Sequence, residues 1–277
     1  MAAEDERVID DSTHKHNFHT HTYRCKHAQG DVDDYCRAAI AGGMETLGFS
    51  DHTALPDDRW IQARMHYEEL DEYVGAIDKA REDYPDLRIL KGMECEYVPR
   101  LHAYYADELL GERAFDYLVG ASHFFLDADE KWHGTYGGTR DAASLRAYAD
   151  YTIRMMETGL FAFVAHPDLF GNCYAEWDAD TAAISKDLLS AAKELDVGME
   201  INALGLRKQA HKKPGNPYPL YPWLPFWELA AEIDAPVIVN SDAHRPQDVQ
   251  ARTGEGYALR ERLGLRAMDI GRIGAAG

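Results

Sequence analysis

Cysteine is scarce in this chain, four residues in 277 at positions 25, 36, 95 and 173, and no two of them form a CxxC pair. That excludes a disulfide framework and a zinc ribbon, and it fits reduced thiols in a reducing compartment. Long hydrophobic runs are also missing: no stretch approaches the roughly 20 apolar residues of a membrane span. The opening MAAEDERVIDD is acidic where a secretory signal would be basic and then apolar, so a cytoplasmic location is expected. Positive charge is in deficit, 29 Lys and Arg against 48 Asp and Glu. The resulting formal charge of −19 repels polyanions, which disfavours long nucleic acid as a partner and favours a small molecule. What is present suits a packed, enzyme-like domain: 45% hydrophobic and 28% charged residues, in a length that buries a large core unaided.

Short apolar runs alternate with longer amphipathic segments, the pattern of a parallel sheet wound with crossover helices. The spacing predicts seven strands, at 17–22, 45–52, 88–97, 117–124, 161–167, 198–202 and 236–244. Helices are expected at 31–42, where Asp31 caps a run placing Tyr35, Ala38 and Ala39 on one face, and at 67–83, where Leu70, Val74 and Ile77 recur at helical spacing. Others fall near 100–111, 140–158, 178–195, 221–233 and 246–263. Two stretches, 127–139 and 205–222, read as long irregular loops of the kind that cover a barrel's site. No repeat or shift in composition divides the chain, so an acidic leader (1–14), one barrel domain (15–265) and a short tail (266–277) are expected.

The first strand ends in HTHTYRCKH. Side chains alternate along a strand, so His19 and His21 project to one side about 7 Å apart, close enough for two imidazoles to meet one ion. An HxH pair alone also fits two unrelated histidines. Position changes the balance: His52 ends the second strand, Glu94 lies in the third, His123 in the fourth, His166 in the fifth, and Asp242 with His244 closes the seventh. Barrel active sites collect side chains from the C-terminal ends of different strands. The bland alternative needs a separate buried partner for every histidine, because unpaired buried polar groups are costly. His14, His16, His66, His102 and His211 fall in the leader, in helices or in the long loop, and are expected in solvent. His133, in the loop after the fourth strand, is a candidate proton donor or substrate contact.

With His27 included, seven histidines and two carboxylates exceed the needs of one catalytic ion and suggest two or three. Nitrogen and oxygen donors suit Zn²⁺, Mn²⁺ or Fe²⁺. Cys25 and Cys95 lie close to these residues in sequence, but strand alternation aims them away, toward packing.

Taken in order, HTHTYRCKHAQGDVDDY, LGFSDH, GMECEY, SHF, AHP and SDAHRPQDV resemble the polymerase and histidinol phosphatase (PHP) family, from His19 to about Val249. The resemblance implies an α/β fold, a distorted (β/α)7 TIM-like barrel in a single domain, holding three divalent metal ions. It implies that His19, His21, Glu94 and Asp242 surround one ion, and that Glu94 bridges to a second held by His123 and His166. His27, His52 and His244 would hold the third, and Glu96 is the second choice for the bridge. EINALGLRK, GNPYP and SDAHRPQDV look most like the histidinol-phosphatase branch. That makes Arg207 the leading catalytic and phosphate contact, since a guanidinium matches a phosphoryl group bidentately, with Arg64 as a further substrate contact.

The implied reaction is hydrolysis of a small phosphomonoester, L-histidinol phosphate, to L-histidinol and phosphate in histidine biosynthesis, by a metal-activated water. His133 is the candidate donor to the leaving oxygen. Three rival readings use the same residues. One is a family phosphoesterase acting on nucleotides or other small phosphoesters. Another is an amidohydrolase-like barrel, which shares the HxH pair and the final Asp but leaves His27, His52, Glu94 and His244 in surplus. The third is a non-catalytic metal-binding module. Tyr97, Phe125 and Tyr218 are candidates to line the pocket for the rest of the substrate, against simple packing as the alternative.

Overall fold

A computed structural model gives the fold and describes residues 14–172, 174, 176–208 and 221–274. Cys173, His211, Tyr218, the GNPYP segment and the leader up to residue 13 lie outside the described residues. The seven expected strands are all present. They are β1 (His16–Asn17), β2 (Thr46–Phe49), β3 (Arg88–Cys95) and β4 (Tyr117–Gly120), then, after a separate antiparallel hairpin of β5 (Phe124–Leu126) and β6 (Trp132–Gly134), β7 (Phe163–Val164), β8 (Gly198–Asn202) and β9 (Val237–Asn240). The parallel sheet runs β1-β2-β3-β4-β7-β8-β9. Beyond β1 a parallel bridge joins Thr20 to Ala243, with His21 N donating to Ala243 O at 2.9 Å and Ala243 N to His19 O at 3.2 Å, so the sheet nearly closes into a barrel.

The helices that cover it are α1 (Val32–Ala41), α2 (Leu70–Asp83), the single turn α3 (Thr135–Gly138), α4 (Ala142–Glu157), α5 (Ala179–Leu195), α6 (Ala203–Arg207), α7 (Leu224–Ile233) and α8 (Thr253–Leu263). A wide-turned helical segment, Tyr104–Glu112, crosses from β3 to β4. Three of these starts are written in the sequence: Asp31, Asp141 and Asp178 each cap the backbone of the following turn and in return donate their own backbone N–H to a polar side chain three residues on. Among the described residues no helix is long and apolar enough to cross a membrane.

Alternation along the strands sorts the core into two parts. Leu118, Val164, Met199, Ile201, Val237 and Val239 pack under the helices. Phe18, Leu90, Tyr117, Val119, Phe163 and Ile238 fill the barrel itself. Tyr117 is the centre of that filling: its hydroxyl donates to Phe18 O at 2.7 Å, and Gly92 makes room for it, since a Cβ there would come within 2.5 Å of the ring. An apolar plug at the base leaves only the C-terminal strand ends free to carry polar groups.

Two segments differ from the sequence reading. The 127–139 stretch is not irregular: Asp127 N donates to Lys131 O at 3.1 Å, and Phe124–Leu126 pairs with Trp132–Gly134, so aromatic and apolar strand formers build a hairpin over the barrel mouth. Residues 266–273, set apart above as a tail, pack into the base, where Val237 pairs with Ala267 and Met268, Ile270 and Ile273 join the barrel interior.

Candidate metal centre

The chain leaves β1 at Asn17 and carries His19 and His21 inward beside the end of β9, with their Nε2 atoms 3.1 Å apart. Glu94, one residue before the end of β3, lies at the middle of the cluster. His166 Nε2 is 3.0 Å from its Oε1, His52 Nδ1 is 2.9 Å from its Oε2, and His19, His21 and His123 come within 3.5–3.6 Å of the carboxylate. Asp242 Oδ1 faces His21 Nε2 at 3.3 Å and His244 Nδ1 at 3.3 Å. His27, the most exposed of the set, stacks beside His52 and His244 with ring centres 5.3 and 4.8 Å away. All nine residues expected from sequence therefore meet at one place. His166 and Asp242 reach it through left-handed backbone, with φ of 32° and 49°, a conformation that non-glycine residues adopt at a cost and that turns each side chain back over the barrel mouth.

Hydrogen bonding does not account for this packing. Glu94 Oε2 and Asp242 Oδ1 are buried acceptors with no hydrogen-bond donor among the described residues, and His21 Nδ1, His52 Nδ1 and His166 Nδ1 are likewise unmatched. Two contacts within the cluster are aligned as hydrogen bonds, His166 Nε2 with Glu94 Oε1 and His19 Nε2 with His21 Nε2, but the unmatched atoms face neighbours at 2.9–3.8 Å without bonding them, as expected when several groups aim at a shared cation. Among the described residues four triads fit an ion: His19, His21 and Glu94; His52, Glu94 and His123; His27, His52 and His244; and His21, Cys25 and His244. The charge states divide the cluster: burial opposes protonation of His19 and His123, but the adjoining carboxylates outweigh it and raise both imidazoles. Burial opposes ionisation of Glu94 and Asp242, but the surrounding histidines outweigh it and hold both carboxyls well below their usual range. Burial, reinforced by neighbouring histidines, lowers His21 and takes His27 down to about 4, while burial is the main cause that lowers His52. Those three imidazoles are neutral at physiological pH, the state that ligates.

Sequence reasoning missed a supporting layer of carboxylates. Glu200, pointing inward from β8, accepts from His19 Nδ1 at 2.8 Å, from the His166 backbone N–H at 3.0 Å, and from the amides of Asn202 and Asn240 at 2.7 and 2.9 Å. Asp51 accepts from Thr22 N and Oγ1 and lies 3.8 Å from His21 Nδ1. Glu96 lies not at the bridge but behind His123, accepting from its Nδ1 at 2.9 Å. Cys25 departs from expectation in another way: strand alternation does not apply there, because the chain turns at Tyr23–Cys25, and the buried sulfur comes within ligating distance of His21 and His244. Burial raises its thiol pKa, so without an ion it stays protonated. Cys95 does pack in the core, its thiol turned to Met93 O at 3.5 Å.

Above the cluster opens a cavity of about 880 Å³, a size for a small metabolite. Arg207 lines it, with Nη1 and Nη2 donating to the carbonyls of Ala251 and Asp242 at 3.0 and 2.9 Å. Lys208 and Arg245 add positive charge to the wall, and Phe124 and Tyr136 add aromatic surface. Arg64 reaches the wall but is committed to Glu96 at 2.9 Å. His133 does not line the cavity: hairpin pairing turns its Nε2 to Asp127 Oδ2 at 2.6 Å. Tyr97 and Phe125 are not among the lining residues either. His14, His16, His66 and His102 all lie away from it, His14 stacked on Tyr257 and His66 paired with Asp58.

A nearly closed parallel barrel with imidazoles and carboxylates gathered at the C-terminal strand ends defines the class of metal-dependent barrel hydrolases. Within that class the chain belongs to the PHP domain family, whose model matches residues 17–203. A Deinococcus radiodurans protein named probable histidinol-phosphatase is 29% identical over 91% of this chain and 95% of its own length. A Schizosaccharomyces pombe protein of the same name is 24% identical, over 83% of this chain and 81% of its own. The solved structure of histidinol phosphate phosphatase from Lactococcus lactis, complexed with zinc, L-histidinol and phosphate, superposes with a TM-score of 0.68 at 14% identity, covering 92% of this chain and 95% of that one.

Proposed function

We propose that this protein is a metal-dependent phosphomonoesterase that hydrolyses L-histidinol phosphate to L-histidinol and phosphate. The observation that carries the reading is the set of buried acceptors, Glu94 Oε2 and Asp242 Oδ1, unmatched among the described residues, inside a ring of imidazoles beneath a cationic cavity wall. Family membership and the names of the full-length relatives support the same activity and substrate. His19, His21, Glu94, Asp242, His123, His166, His27, His52 and His244 would hold three divalent ions, with zinc favoured by the composition of the Lactococcus lactis complex. When bound, such ions supply Lewis acidity toward phosphoryl oxygens and make water acidic enough to attack near neutral pH.

The chain's own residues supply the rest. Arg207 and Arg245 bind and orient the phosphoryl group, and Arg207, anchored on the carbonyl of Asp242, keeps that group in register with the cluster. Lys208 is the residue we assign to the leaving oxygen: it lines the cavity, and burial lowers its ammonium pKa, which makes it a readier proton donor than an ordinary lysine. The test is phosphate release from a panel of phosphoesters by the purified protein loaded with Zn²⁺, Mn²⁺ or Fe²⁺. Histidinol phosphate is expected to give the highest kcat/KM. A higher value for a nucleoside monophosphate or a sugar phosphate would move the substrate elsewhere in the family, and no release at all would leave a metal-binding module.

A further inference from the structure

Arg64 and Glu96 form a fully buried ion pair, 2% and 1% exposed, directly behind the cluster. Each residue of the pair has a second task. Glu96 gives Oε2 to Arg64 Nη1 at 2.9 Å and Oε1 to His123 Nδ1 at 2.9 Å. Arg64 Nη1 also donates to Thr53 O at 3.2 Å, and Thr53, next to His52, bonds the carbonyl of Glu94 through both its N–H (2.9 Å) and its hydroxyl (2.7 Å). One guanidinium thus ties together the ends of the strands that carry His52, Glu94 and His123.

We infer that Arg64 and Glu96 are positioning residues of the metal centre: Arg64, acting through Glu96, fixes His123 with its Nδ1 protonated and its Nε2 free toward Glu94. This rests on the metal-binding reading of the cluster and assigns Arg64 a role other than phosphate recognition. Orientation of a ligating imidazole by a carboxylate on its other nitrogen sets the tautomer and the ring plane. The carboxylate needs the arginine, because an uncompensated charge at that depth is expensive. Lysine is a partial replacement: it carries the charge on a single nitrogen at the end of a differently shaped side chain, away from the place where Arg64 Nη1 meets both Glu96 and Thr53 O.

The roles are separable because Arg64 also reaches the cavity wall. Wild type, E96Q, R64Q, R64K and the double variant R64Q/E96Q are stripped of metal, titrated with Zn²⁺ by calorimetry, and then assayed on L-histidinol phosphate at saturating Zn²⁺. E96Q and R64Q are expected to weaken one Zn²⁺ site by roughly 10- to 100-fold, with R64K intermediate. KM at saturating Zn²⁺ should stay within about twofold, since substrate binding is not what is removed. The double variant should be no worse than the weaker single one, because the two residues act as a unit. Unchanged Zn²⁺ affinity in E96Q overturns the inference. So does an R64Q protein that keeps its Zn²⁺ affinity while KM rises tenfold, the signature of a phosphate contact. Should R64Q fail to fold, the near-isosteric E96Q and the charge-compensated double variant still decide. If histidinol phosphate is not turned over, the substrate reading falls while the Zn²⁺ titrations keep their meaning.

Discussion

Glu200 Oε1 lies 2.8 Å from His19 Nδ1, on the opposite side of the imidazole from the cluster. The same carboxylate accepts the backbone N–H of His166 through its other oxygen, at 3.0 Å. One buried acid on β8 therefore orients the His19 ring beyond β1 and holds the His166 backbone just beyond β7. Glutamine at this position keeps the shape but has a single acceptor oxygen and brings two N–H donors to a place already full of donors. Glu200→Gln is expected to lower Zn²⁺ affinity by roughly 10- to 100-fold and to cost about 1–3 kcal/mol of stability through unpaired donors. Metal titration and chemical denaturation of the stripped protein check both; unchanged values in each would remove Glu200 from the account.

Asp168 gives a pH prediction. It is buried and accepts from the backbone N–H of Trp223 and from Trp227 Nε1 at 2.6 and 3.0 Å, yet burial still raises its pKa to about 6 from the ordinary 3.8. Between those values the folded chain holds a proton that the unfolded chain has released. Stability from this group is thus present at low pH and is lost as pH rises from about 4 through about 6. Asp168→Asn should flatten that part of the stability curve, by no more than about 3 kcal/mol. Denaturant unfolding of the metal-free protein and of the variant at several pH values measures the difference; an identical slope for the two contradicts it.

The gathering of these nine residues was legible because they stand at or just beyond the ends of six different strands, where a short motif such as GME, SHF or AHP shows both the strand and the residue. The supporting carboxylates were not. Glu200 sits in GMEIN, a run that reads as a plain buried strand, and its partner His19 is 181 residues away, so no local spacing relates them. Glu96 was visible only as a neighbour of Glu94, and what separates them is Arg64, whose burial no sequence pattern announces. His133 misled for the converse reason: a histidine in an apparent loop over the mouth looks free to reach inward, but cross-strand pairing with Phe125 fixes it toward Asp127.

That placement predicts a contrast between His133 and Lys208. His133→Ala removes a partly exposed pair with Asp127, and kcat on histidinol phosphate should stay within about twofold of wild type. Lys208→Met removes the proton donor proposed on the cavity wall, and kcat should fall by roughly 100-fold or more, with metal content unchanged. Steady-state kinetics beside metal analysis separate the two. A large loss in His133→Ala with Lys208→Met near wild type would restore the assignment suggested by sequence.

Removal of metal should weaken the fold as well as the activity. Without cations, Glu94 Oε2 and Asp242 Oδ1 remain buried with no donor among the described residues, and imidazoles crowd each other at ring separations of 4.3–5.3 Å. Any ion that binds the folded chain alone stabilises it by mass action, about 4 kcal/mol at a free concentration a thousand times its Kd. Treatment with a chelator is therefore expected to lower the melting temperature, and Zn²⁺ to restore it in a concentration-dependent way. The restoration should weaken as pH falls, because protons compete with the ion for the imidazoles. His52→Ala tests whether the effect belongs to this cluster: His52 stands in two of the four ligating triads found among the described residues, so its loss should leave a residual shift smaller than wild type at every Zn²⁺ concentration. A full wild-type shift in that variant would mean that the stabilising ion binds elsewhere on the chain.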